Sequence, residues 1–65
     1  MSREIIVFWR HANGTRCVVE KAQPHGWQLL VIHGDTQLLA EIHEDAHQLM
    51  ARAMELRRRF EPAVA

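Results

Sequence analysis

The sequence predicts an α+β fold: a four-stranded antiparallel β-meander followed by one C-terminal amphipathic helix packed on one sheet face, in the order ββββα. Three observations predict it. Short β-branched, aromatic and aliphatic runs recur up to residue 43, each bounded by Gly, Pro, Asn or Asp. Asn13-Gly14 and Gly34-Asp35 are the dipeptides that two-residue hairpin turns favour. After Asp45 the apolar spacing changes from a period of two to the 3.6 of a helix.

The first strand, about 4–11, draws on Ile5, Ile6, Val7, Phe8 and Trp9, a run too short for a helix of that composition. Asn13-Gly14 turns the chain, because both central positions of such a turn need positive φ. The second strand returns over about 15–22. Gln23, Pro24, His25 and Gly26 make the next turn: Pro24 has no N–H to offer a ladder, and Gly26 tolerates positive φ. The third strand covers about 27–33, Gly34-Asp35 turns again, and the fourth covers about 36–43.

The helix is predicted over about 45–60. Ala46, Leu49, Ala53, Leu56 and Phe60 recur at intervals of three and four, with Met50 beside them, and form one apolar stripe. Asp45 is the N-cap, with Gln48 three residues later as in a capping box. Arg57, Arg58 and Arg59 complement the dipole in the last turn. Pro62 marks the stop and 62–65 a frayed tail, so residues 1–65 form a single small domain.

Face assignment follows from the turns. A two-residue loop at Gly34-Asp35 pairs Leu29 with Ala40, Val31 with Leu38 and Trp27 with Ile42 beneath the helix. Gln28, Leu30, Ile32, Gln37, Leu39 and Glu41 then face away. A two-residue loop at Asn13-Gly14 pairs Phe8 with Val19, Arg10 with Cys17, Trp9 with Val18 and Val7 with Glu20. The polar Glu20 places its row outside, and Phe8, Cys17 and Val19 inside. One helix covers one face only, so Val7, Trp9, Val18, Leu30, Ile32 and Leu39 are predicted as an exposed interface. Edge-to-edge strand pairing is a second route to association.

Size and charge bear on what the chain does. With 65 residues it is one domain with a marginal core, and its single cysteine excludes an internal disulfide. A domain this small commonly gains stability from a partner. Eight Lys plus Arg against eight Asp plus Glu give zero formal charge, which argues against a strongly basic nucleic-acid binder. Ile5 to Trp9 is too short for a signal-peptide core or a membrane span, and the lone cysteine suits a reducing compartment. A cytoplasmic location is expected, with no membrane association.

His43-Glu44-Asp45-Ala46-His47 matches H-E-x-x-H, the zinc-hydrolase spacing that sets two imidazoles one helical turn apart with a Glu as general base. Here the segment straddles a strand end and a helix start, Asp45 is better used as a cap, and no third ligand stands out. His43, Glu44 and His47 are therefore minor metal candidates, and no cofactor is expected. His11, His25 and His33 fall at turns. Cys17 falls inside, where a thiol packs as a small hydrophobe. Trp27 belongs to the core pattern, whereas Trp9 outside is a natural interface anchor. Arg57, Arg58 and Arg59, joined by Arg52 and by Arg10 and Arg16 near the first turn, are the candidate phosphate contacts.

The sequence thus predicts a small non-enzymatic interaction module, homodimeric or bound to another protein through the uncovered sheet face. Nucleic-acid binding through the arginines is the alternative. Zinc-dependent hydrolysis is a distant third.

Overall fold

The structure, a computed structural model, describes residues 5–62. It contains β1 (Ile5–Arg10), β2 (Thr15–Lys21), β3 (Trp27–His33), β4 (Thr36–His43) and α1 (Ala46–Arg59). The strands lie in the order β1-β2-β3-β4, each antiparallel to its neighbour. This is the ββββα meander expected from the sequence. The predicted strand start at residue 4 and the tail at 63–65 fall outside the described residues.

The first hairpin closes differently from the two-residue turn predicted. His11 N–H donates to the Thr15 carbonyl at 2.8 Å and Gly14 N–H to the His11 carbonyl at 3.0 Å. Asn13 Oδ1 accepts from Thr15 N–H at 3.0 Å, and Gly14 has φ of 93°. The loop is therefore Ala12-Asn13-Gly14, a turn whose last residue sits in the left-handed region and shifts the register by one. A bulge follows: Val7 pairs with Val18 but Trp9 with Cys17, so Phe8 is an extra residue. In the last hairpin Ile32 pairs with Gln37 but Val31 with Leu39, and Leu38 is extra.

The longer loop reverses the in-and-out placement of Trp9, and each bulge reverses the alternation beyond it. Seven predicted placements are corrected as a result. Trp9, expected outside with Val7, turns into the core and is 7% exposed. Leu39 and Glu41, expected to face away, lie on the helix side opposite Val31 and Leu29. Ala40 and Ile42, expected beneath the helix, pair with Leu30 and Gln28 on the open face. Phe8 and Leu38, expected inside, are the bulged residues and are exposed. Cys17, Val19, Leu29 and Val31 face the core as predicted.

The core joins Trp9, Cys17, Val19, Leu29 and Val31 of the sheet to Leu49, Ala53 and Leu56 of α1, with Trp27, Leu39 and Phe60 packed against them. Of the predicted helix stripe, Leu49, Ala53 and Leu56 are buried, whereas Ala46 and Met50 are exposed. Asp45 caps α1, its Oδ1 accepting from His47 N–H at 2.7 Å and Gln48 N–H at 3.3 Å. That satisfies two of the N–H groups a helix start leaves unpaired.

Three polar ties fasten α1 to the sheet. Trp9 Nε1–H donates to the Ala53 carbonyl at 2.8 Å, and His11 Nε2 bonds the Arg57 carbonyl at 2.9 Å. The two carbonyls are four helix residues apart and the donors are two residues apart in extended chain, spacings of about 6.0 and 6.6 Å. The end of β1 can therefore run along the helix. On the far edge, Glu41 of β4 takes Arg52 Nε at 3.0 Å and Nη2 at 2.8 Å.

Candidate interaction surface

Residues paired across an antiparallel ladder share a face, so the register resolves the open side into three rows. The first is Arg10, Arg16, Ile32 and Gln37. The middle row is Val7, Val18, Leu30 and Ala40. The third is Ile5, Glu20, Gln28 and Ile42. The middle row is wholly apolar and crosses all four strands. Its flanks carry Ile5 and Ile42, 57% and 66% exposed.

Of the predicted interface residues, Val7, Val18, Leu30 and Ile32 are brought together on this open face, and Trp9 and Leu39 are not. Val18 is 7% exposed yet stands outside the core cluster. Strand neighbours on both sides shield it, and no helix does. Ala40, Ile42 and Ile5 complete the surface, and sequence reasoning missed them. An unbroken register puts Ala40 and Ile42 on the other side, and Ile5 lies at the strand end.

The sheet edges are β1 and β4, and each carries one of the two bulges. Bulges at an edge interrupt the row of free N–H and C=O groups that a further strand needs. The face, rather than an edge, is the continuous surface.

Charge is divided along the strands. Arg10 and Arg16 lie directly opposite each other at the end that carries the first turn. His11, bonded to the Arg57 carbonyl, brings the last turn of α1 to the same end, so Arg57, Arg58 and Arg59 gather there behind the covered face. Glu20 lies at the other end of the open face. Glu44, bonded to His25 at 3.2 Å, and the Asp45 cap lie at that end too. Among the described residues no ion pair engages Arg10, Arg16 or Glu20. Arg52, the remaining predicted phosphate contact, is held by Glu41 and by Glu55 at 3.0 Å.

The H-E-x-x-H residues do not converge. His43 Nε2 lies 2.9 Å from Glu41 Oε1 on the helix side of β4. Glu44 reaches His25, and the His47 side chain is fully exposed. Among the described residues no group of three or more His, Cys, Asp or Glu is arranged to hold a metal ion. His33 Nδ1 meets Thr15 Oγ1 at 3.0 Å, a structural cross-strand pair. Burial pushes the Cys17 thiol up to about 11, which leaves it protonated and unreactive near neutral pH. Hydrogen bonds from Arg52 hold the Glu41 carboxyl below its ordinary range.

Among the described residues no helix is long and apolar enough to cross a membrane. No protein-family model, curated protein or solved structure matches the chain.

Proposed function

We propose that this chain is a small non-enzymatic protein-interaction module that self-associates through the open face of its sheet. One observation carries the reading: an apolar row, Val7, Val18, Leu30 and Ala40, crosses all four strands with no helix over it. Surfaces of that kind, rimmed by polar residues, mark association sites. The non-enzymatic part rests on where the candidate chemistry sits. The Cys17 thiol is buried and protonated, and His43, Glu44 and His47 are each turned to different neighbours. A free, buried thiol suits the cytoplasm, where thiols stay reduced.

Light scattering over a dilution series tests the reading. A mass rising toward twice that of one chain supports it, and a constant single-chain mass up to ~1 mM removes it. Val7→Glu places a charge in the apolar row at an exposed position. It is expected to raise the dissociation constant at least about thirtyfold, because a buried unpaired charge costs roughly 2 kcal/mol or more.

A second reading, nucleic-acid binding, draws on the gathering of Arg10, Arg16, Arg57, Arg58 and Arg59 at one end of the molecule. Zero formal charge and the apolar middle row place it second. Gel shifts across a salt series check it: absence of binding even at low salt disposes of it.

A further inference from the structure

We propose that the open face is closed by a second copy of this chain, stacked face to face about a two-fold axis along the Val7–Ala40 row. Arg16 of each copy then meets Glu20 of the other. The proposal rests on the open face being the contact surface and adds the occupant's orientation.

Arg16 and Glu20 lie on β2, on the same face, with Val18 midway between them. Each is about 6.6 Å along the strand from Val18. Neither has an ion-pair partner among the described residues, and Arg16 stands directly opposite a like charge, Arg10. Like charges so placed repel, unless an opposite charge arrives from outside the sheet.

Two two-fold axes aligned with the sheet can stack this face on itself. An axis parallel to the strands lays the arginine row on its own copy and β1 over β4. An axis along the apolar row lays the arginine end over the Glu20 end, β2 over β2 and Val18 over Val18. Only the second brings together opposite charges that have no ion-pair partner among the described residues, twice by symmetry. Aligned sheets cross at about 30°, which displaces Arg16 sideways by ~3 Å at that distance from the axis. With sheets ~10 Å apart, an Arg and a Glu extended toward each other span that gap. By net charge the two ends of the molecule have the same polarity, although Asp35 and Glu61 lie at the arginine end and Lys21 beside Glu20. Arg57, Arg58 and Arg59 lie at the Arg16 end, while Glu44 and Asp45 lie at the Glu20 end. Antiparallel stacking therefore sets unlike ends together.

The area sets the strength. Four strands ~4.8 Å apart, with about five residues each, give a flat footprint near 300 Å² per copy. Side-chain relief raises the total buried by both copies to roughly 800–1,000 Å², at the low end of specific interfaces. Association in the micromolar range, sensitive to salt, is the expected strength.

The test uses Arg16→Glu and Glu20→Arg in the full chain, with sedimentation at ~20 mM salt and circular dichroism to confirm folding. Each variant alone sets two like-charged pairs in the interface. Self-association is expected to weaken about tenfold. An equimolar mixture of the two restores both pairs, so 1:1 association at wild-type strength is expected, and the double variant should self-associate again. Recovery in the mixture cannot come from misfolding. If the wild type dimerises but single variants match it, or the mixture gives no recovery, this orientation is overturned while the contact-surface reading stands. A wild type monomeric at ~1 mM overturns both.

Discussion

The two faces of this sheet are built from the same strands and hold comparable apolar side chains, yet they end in opposite conditions. On the covered face Cys17, Leu29 and Val31 are fully buried beneath Leu49, Ala53 and Leu56. On the open face Val7, Ile5 and Ile42 stay about half exposed or more. On the covered face Trp9 and His11 bond helix carbonyls and Glu41 bonds Arg52. The open face has Arg10, Arg16 and Glu20 without ion-pair partners among the described residues. Hydrophobicity alone does not select the covered side. Register selects it, through a three-residue loop and two bulges, and the helix then locks the choice with directional hydrogen bonds.

The largest break in that contrast is a truncation compared across the ladder. Leu29→Ala removes a fully buried side chain and is expected to cost about 3–4 kcal/mol in denaturant unfolding. Leu30→Ala, next to it on the open face, is expected to cost about 1 kcal/mol in the dilute monomer. Equal costs would show that the open face is as well packed as the core.

Gly26→Ala comes next, at about 2 kcal/mol. Gly26 has φ of 91°, and a Cβ there would sit 2.9 Å from the His43 carbonyl oxygen, where the second turn meets the end of β4. Gly14, with similar φ and open space around it, is expected to cost less as Ala, about 1 kcal/mol. A Gly14→Ala penalty equal to that of Gly26→Ala would remove the close-approach argument.

Trp9→Phe sharpens the correction of Trp9 to the covered side. It keeps an aromatic ring and deletes the donor to the Ala53 carbonyl, for an expected loss of about 1–2 kcal/mol. Unchanged thermal stability would return Trp9 to a surface role.

The smallest effect is the acid response of the Glu41–Arg52 tie. Arg52 hydrogen bonds lower the folded carboxyl, so its stabilisation is present above the unfolded value of about 4.3 and is lost as pH falls through the lower folded value. Both side chains are about one quarter exposed, and screening keeps the amount below about 1 kcal/mol. Glu41→Gln is expected to flatten the stability curve below pH ~4. An unaltered curve would show that the pair adds nothing to folding.

Sequence made the element order legible because its signals are local: β-branched runs, turn dipeptides, the change of period and the Asp45 cap. Register was legible only in part. Asn13-Gly14 is compatible with a two- or a three-residue loop, and nothing in the composition of Phe8 or Leu38 marks an extra residue. Val18, Leu30 and Ile32 kept their predicted face because β2 and β3 pair without a break. Val7 kept it too, because the loop shift and the Phe8 bulge together move its partner by two residues. Leu39 changed face because it lies past the Leu38 bulge, and Trp9 because the three-residue loop moves its partner from Val18 to Cys17. Errors concentrate in edge strands, where only one neighbour constrains the register.

Methyl NMR of the wild-type chain on dilution reads directly whether a second copy closes the open face. With a second copy there, Val7, Val18, Leu30 and Ile42 methyl shifts move together with concentration, while those of Leu29, Val31 and Leu56 hold. Open-face methyl shifts that stay constant across a concentration range where mass measurements show association would contradict it.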